Sequence, residues 1–155
     1  MERYLYARGC TQCWIWFQDE DRTKVRTELR QHQDERKHQG ECGLRLRTLP
    51  AKGSAEESTM KGMLEEKRLK IGRGVEKETG WLYARGCMRC VGRWFVKESE
   101  MEAEQELAKH QEHEGSHHGR YELRFRPWGE DNKKKAAERE MVRRMLCEGR
   151  LQVWE

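Results

Sequence analysis

The sequence predicts an α+β protein made of two duplicated small units, each a ββα-type arrangement extended by a further strand and a second helix. Three observations predict it. The hexapeptide LYARGC occurs at Leu5 to Cys10 and again at Leu82 to Cys87, each time followed by a second cysteine after two residues. Segments of alternating polarity are interleaved with segments of helical periodicity, in the same order in both halves. Charged residues make up 39% of the 155 and hydrophobic ones 35%, so units of half this length hold too little apolar material to fold on core burial alone.

The match between the halves extends well beyond the hexapeptide. Cys10 and Cys13 fall on Cys87 and Cys90, Trp16-Phe17 on Trp94-Phe95, Leu29 on Leu107 and His32 on His110. His38 meets His117, LRLR from Leu44 meets LRFR from Leu123, and MLEEKRL from Met63 lies over MLCEGRL from Met145.

Each element of the repeat follows from its residues. RYLYAR and WLYAR read as strands entering the C-x-x-C, and WIWF and RWFV as the returning strands of hairpins, being aromatic and β-branched. A helix follows in each copy. Ser99 with Glu102 forms a capping box in the second, whereas the first offers Asp19, Asp21 and Thr23 as alternative starts. The alternation of GLRLRTL and RYELRFR predicts a strand with Leu44, Leu46, Tyr121, Leu123 and Phe125 inward, and Arg45, Arg47, Arg124 and Arg126 outward. Met60, Met63 and Leu64, and more clearly Met141, Val142, Met145 and Leu146, mark a second helix. The short strands RLKI and RLQVWE close the copies.

The segments PAKGSAEES and PWGEDNKKK occupy equivalent places and read as loops inside a repeat. The polar, glycine-rich stretch before the second LYARGC is the better boundary. The expected division is therefore repeat 1 over 1–74, a linker over 75–80 and repeat 2 over 81–155. The opening MERYLYARGC has no apolar h-region, which points to an intracellular, reducing setting for the six cysteines. Runs such as CWIWF are far too short for a bilayer, so no membrane partner is expected.

The cysteine and histidine pattern carries the chemistry. A C-x-x-C loop aims two sulfurs at one point, and a following helix supplies imidazoles, giving the S2N2 donor set that zinc prefers. Repetition of the histidines in register disfavours a redox pair. The expected ligands are Cys10, Cys13, His32 and His38 in repeat 1, and Cys87, Cys90, His110 and His117 in repeat 2, for two structural Zn2+ ions per chain. For the last position His113 and His118 compete in repeat 2 and Cys42 in repeat 1. Cys42 aligns with Tyr121, and Cys147 lies on the apolar side of the last helix, so both read first as ordinary thiols.

The pattern resembles the Cys2His2 zinc finger family. Its C-x2-C, the aromatic residue after it and L-x2-H stand here as Cys10, Cys13, Phe17, Leu29 and His32, and as Cys87, Cys90, Trp94 or Phe95, Leu107 and His110. Two departures accompany the likeness: eleven residues separate aromatic and leucine in both copies, and the histidines are spaced H-x5-H and H-x6-H. The family's three base pairs per finger therefore do not carry over. The C-x2-C-x19-H-x6-H spacing of the second copy is also similar to the baculoviral inhibitor-of-apoptosis repeat, a peptide-binding zinc fold whose last ligand is cysteine.

Four protein ligands per copy argue for closed sites, and no nucleophile elbow, phosphate loop or H-E-x-x-H occurs, so neither an enzyme nor a small-molecule substrate is expected. The net charge is +4, from 32 basic and 28 acidic side chains, and the helix KESEMEAEQELAKHQEHE is plainly acidic. An acidic helix does not enter a major groove readily. The basic candidates lie elsewhere: Arg8 and Arg85 beside the cysteines, Arg45, Arg47, Arg124 and Arg126 on the strands, Arg68 and Arg150 after the second helices, and Lys133, Lys134 and Lys135. Beside Tyr6, Trp14, Trp16, Trp94 and Trp128 they suit RNA or irregular single-stranded nucleic acid, as in a subunit of a nucleoprotein complex or a viral factor. The alternative is a zinc-dependent protein-interaction adaptor that never touches nucleic acid.

Overall fold

In the computed structural model, residues 3–48, 53–72, 80–115, 117–128 and 131–153 are described. The expected linker falls outside them except for Gly80. Twelve elements follow in order: β1 (Arg3–Cys10), β2 (Trp16–Asp19), α1 (Arg22–Arg36), β3 (Glu41–Thr48), α2 (Gly53–Glu65) and β4 (Leu69–Ile71), then β5 (Leu82–Cys87), β6 (Trp94–Lys97), α3 (Glu100–Glu114), β7 (Arg120–Phe125), α4 (Asn132–Cys147) and β8 (Leu151–Val153). The fold is α+β with two antiparallel four-stranded sheets. No helix among the described residues is long and apolar enough to cross a membrane.

The sheets do not follow the sequence repeats. One has the order β2-β1-β3-β8 and the other β4-β7-β5-β6, so the closing strand of each repeat completes the sheet built by the other. The chain accordingly divides into unit 1, residues 1–67 with 150–155, and unit 2, residues 68–149. Repeat and compact unit are thus two different divisions of the chain, crossed at Lys67-Arg68 and again at Gly149-Arg150.

Within unit 1, Leu44 and Leu46 of β3 pair with Val153 and Leu151 of β8, and with Ala7 and Leu5 of β1. The core is formed by Ala7, Val25, Leu29, Leu44, Leu46, Met60, Met63, Leu64 and Leu151, all buried. Unit 2 repeats this. Leu123 and Phe125 of β7 pair with Ile71 and Leu69 of β4, over a core that includes Leu82, Ala84, Ala103, Leu107, Val142, Met145 and Leu146.

Helix starts obey capping chemistry. Asp21 settles the start of α1 by accepting from the backbone N–H of Thr23 and Lys24, and Ser99 caps α3 by accepting from Glu102. Asp131 caps α4 in the same way through Lys134. The second helices therefore reach further into the expected loops than the sequence reading had them: α2 begins at Gly53, and Lys133 to Lys135 lie in the first turn of α4.

Gly9 and Gly86 of the repeated LYARGC have a packing role. Both sit inside strands, opposite Trp16 and Trp94. A Cβ at Gly9 would lie 2.8 Å from the Trp16 ring, and one at Gly86 2.6 Å from the Trp94 ring. The hexapeptide keeps its glycine so that an indole can lie against the bare backbone.

Candidate metal centres

Each hairpin delivers two thiols to one point. Cys10 ends β1 and Cys13 lies in the turn, which is closed by Trp14 N–H to the Cys10 carbonyl at 2.7 Å and Cys10 N–H to the Ile15 carbonyl at 3.0 Å. In unit 2 Cys87 ends β5, and its carbonyl accepts from Cys90 N–H at 3.2 Å. The inserted residue of this loop is accommodated by Gly92 at φ 87°.

Histidines come from the C-terminal end of a helix and the turn after it. His32 lies near the end of α1, which stops at Lys37 in the left-handed conformation, and His38 follows at once. His110 lies near the end of α3, which stops at Gly115, and His117 follows. Phe17 packs against the His32 ring at 5.9 Å between centroids and Phe95 against His110 at 6.0 Å, which identifies Phe95 rather than Trp94 as the aromatic equivalent.

The eight side chains converge as two groups, Cys10-Cys13-His32-His38 and Cys87-Cys90-His110-His117, with the ligand atoms of each within 4.8 Å of one another. In unit 1, Cys13 Sγ lies 3.2 Å from His32 Nε2, and Cys10 Sγ 3.6 Å from His38 Nδ1. In unit 2, His117 Nδ1 lies 3.3 Å from Cys90 Sγ, 3.7 Å from Cys87 Sγ and 3.3 Å from His110 Nε2. A tetrahedral metal with bonds of about 2.3 Å to sulfur and about 2.0 Å to nitrogen separates its ligands by roughly 3.3–3.8 Å. Both groups can therefore hold one metal ion with four protein donors. Cys10 and Cys87 are buried and the other six ligands half-buried.

A support that the sequence reading passed over surrounds each group. Gln33 Nε2 donates to the Gly40 carbonyl at 2.8 Å, and Gln111 Nε2 to the Gly119 carbonyl, also at 2.8 Å. The same two carbonyls accept from Thr11 and Met88, the residues after the first cysteines. One carbonyl thus ties the helix, the cysteine turn and the segment carrying the last histidine together. Its signal was present in the repeated dipeptide HQ, whose glutamine had no assigned task. Gln111 Nε2 also lies 3.6 Å from Cys87 Sγ.

Local electrostatics distinguish the thiols. Burial works to raise the Cys10 thiol, but hydrogen bonds from the Cys13 and Gln12 backbone outweigh it and hold the thiol below its ordinary value. Cys90 is raised, by desolvation first and then by the neighbouring Cys87. The competing residues lie apart from the clusters. Cys42 is buried, its thiol pushed up to about 12 by desolvation, and faces the Gly9 carbonyl at 3.7 Å. His118 meets Arg89 at 3.3 Å, and His113 is exposed. Cys147 Sγ faces the Trp94 carbonyl at 4.0 Å.

The arginines divide into three kinds. Arg8 and Arg85, which the sequence singled out as ligand contacts, are buried. Arg85 sits beneath α3, 2.7 Å from Glu100, 3.6 Å from Glu104 and 3.5 Å from Glu122. Arg68 and Arg150 are likewise buried, in ion pairs with Glu138 and Glu56. The strand arginines point away from the leucines but not all reach solvent, because that face of the sheet is partly covered. Arg124 is buried and Arg47 half-buried, Arg45 donates to Gln152 at 2.8 Å, and Arg126 is exposed. Lys133, Lys134 and Lys135 are exposed on α4.

The equivalent first helices carry opposite charge. Helix α1 has five basic and three acidic residues, and α3 one basic and six acidic. Exposed Arg22, Arg26 and Arg30 recur every four residues on α1, where α3 has Glu100, Glu104 and Ala108. Around buried Arg8 the charges are mixed. Desolvation lowers its pKa, Glu41 raises it, and the nearby Arg26 and Arg22 lower it further.

No protein-family model, curated protein or solved structure matches the chain.

Proposed function

We propose that the protein binds nucleic acid through a scaffold braced by two structural zinc ions, one in each Cys2His2 group, as an enlarged variant of the zinc-finger plan. Zinc is favoured over harder cations by the two-thiolate, two-imidazole donor set, and four protein donors leave no open position of the kind a catalytic zinc keeps. The role proposed is accordingly binding without catalysis.

The observation that carries the nucleic-acid reading is the charge inversion between α1 and α3. A duplication that keeps its ligands, capping positions and buried arginine has three arginines along one helix face where the other helix has two glutamates and an alanine. The glutamates of α3 stand against Arg85, whereas near Arg8 the helix supplies Arg22 and Arg26 and the opposing carboxylate, Glu41, comes from β3. Arginine spaced by four along a helix suits a phosphate backbone, because its guanidinium forks match phosphate oxygens bidentately. Unit 1 is therefore the main electrostatic contact, and single strands are the preferred class because α1 and the sheet aromatics belong to one small unit.

Titration of zinc-loaded protein with fluorescein-labelled single-stranded and duplex RNA and DNA over a salt series tests this. Binding that weakens with salt is expected, with a log–log slope about 2 units shallower when Arg22, Arg26 and Arg30 are all changed to glutamate. Absence of binding to every probe at low salt, with two zinc ions per chain present, would sink this reading and favour the protein-interaction adaptor.

A further inference from the structure

Unit 2 contains a cleft of about 650 Å³, lined by Trp81, Glu98, Arg126, Asn132, Lys135 and Arg139 among others, within the range of small-molecule sites. We infer that it holds one unpaired nucleotide of a bound single strand, the base against the Trp81 indole and the phosphate between Lys135 and Arg139. The inference rests on the nucleic-acid reading and adds to it a specific site in the other unit.

The floor is an indole that is half-buried and already carries cations. Lys70 Nζ lies 5.3 Å from its ring centroid, and the guanidinium carbons of Arg124 and Arg126 at 5.8 and 5.9 Å. Cations held against an aromatic ring fix its position, and the planar guanidinium of exposed Arg126 is itself a surface on which a base can lie. The rim is unequal in charge. Among the described lining residues, Arg126, Lys135 and Arg139 stand against one carboxylate, that of Glu98, which lies 3.5 Å from Arg139 and is 80% exposed. A solvent-exposed pair of this kind is worth little, so a phosphate can take the guanidinium from the carboxylate at small cost. Asn132 contributes an amide that both donates and accepts, the complement of a base edge.

Three features point to a nucleotide in preference to an acidic peptide. The site offers a flat aromatic surface, cations both against that ring and elsewhere in the lining, and an amide; a carboxylate side chain would use only the cations. The equivalent position in unit 1 carries a smaller ring, Tyr4 in place of Trp81, with Arg45 5.7 Å from its centroid. Occupation is therefore assigned to unit 2.

The test uses the full zinc-loaded chain with a labelled 12-nucleotide oligouridylate and an RNA duplex of the same length. Trp81→Leu should weaken single-strand binding about tenfold or more with duplex binding unchanged, and Trp81→Phe should restore most of it. Because Trp81 is half-buried, Lys135→Glu is the companion variant: Lys135 is exposed on α4, and its reversal should weaken the same probe and flatten its salt slope. Wild-type affinity of both Trp81→Leu and Lys135→Glu for oligouridylate, while the α1 glutamate variant loses it, would overturn the cleft and leave the general reading standing. Equal competition by polyglutamate would also overturn it. Failure of the wild type to bind any nucleic acid removes the general reading itself.

Discussion

The guanidinium of Arg150 donates to both carboxylate oxygens of Glu56, in an ion pair whose side chains are 2% and 5% exposed. Arg150 belongs to the second repeat and Glu56 to the first, and both lie in unit 1. The counterpart in unit 2 is Arg68 with Glu138, each residue being replaced by its equivalent from the other repeat. Each buried pair thus anchors a closing strand into the sheet of the other repeat. Arg150 further accepts Arg47 N–H on its carbonyl at 2.8 Å, and Arg68 accepts Arg126 N–H at 2.7 Å.

Removing one partner of such a pair leaves a desolvated charge. Glu56→Ala is expected to destabilise unit 1 by about 3–5 kcal/mol, and adding Arg150→Met should recover much of that loss. Urea unfolding of the single and double variants provides the measurement. Equal losses in the single and double variants would show that the pair does not behave as a buried unit.

Metal content supplies a second expectation. Purified protein should hold two zinc ions by elemental analysis, with His38→Ala and His117→Ala each reducing the count to about one. Chelation should abolish much of the far-ultraviolet dichroism, since metal binding is part of folding in units this poor in core. Retention of the full signal after complete zinc removal would contradict a structural role.

The glutamine clamps should be visible in metal affinity. Gln33→Ala and Gln111→Ala leave all four donors in place but release the carbonyl that ties the last histidine to the helix. A loss of about tenfold in zinc affinity is expected for the affected site, as for other groups that support ligands from behind. Competition against a chromophoric chelator would detect it, and an unchanged affinity would assign the glutamines to the turn alone.

Cys42 makes stability depend on alkali. Burial raises its thiol from an ordinary 9.0 to about 12, so in that window the unfolded chain has lost a proton that the folded one keeps. The sign is a loss: the contribution is complete below about pH 9 and falls by about 1.4 kcal/mol per pH unit toward 12. Denaturant unfolding at pH 8 and pH 10.5 should show this drop in the wild type and not in Cys42→Ala. The same burial predicts that iodoacetamide at pH 8.5 leaves Cys42 unmodified in the folded protein.

Much of this architecture was legible because the duplication supplies each signal twice. Ser99 and Glu102 announced α3, the alternation around Leu44 and Leu123 announced β3 and β7, and the spacing of cysteines and histidines announced six of the eight side chains that meet, with His38 and His117 still contested by neighbouring His113, His118 and Cys42. What escaped was whatever depends on the chain crossing between units. The sequence of RLKI and RLQV states that a strand forms, but pairing partners 107 or 54 residues away leave no local periodicity to read. The retained arginines were legible as retained but not as buried. A guanidinium under a helix and one facing solvent are written with the same letter, and only the carboxylates opposite Arg85, Arg68 and Arg150 separate them.

The exchange of closing strands also sets an order of maturation. Unit 2 has every strand of its sheet once residues 68–149 have been synthesised, whereas unit 1 lacks β8 until residue 153 has been added. During translation the earlier-made half therefore waits with the edge of β3 unpaired, while the later-made half can complete itself first. Such an edge is an open invitation to any extended chain, so this interval is when the nascent protein is most exposed to mispairing with a neighbour on the same polysome.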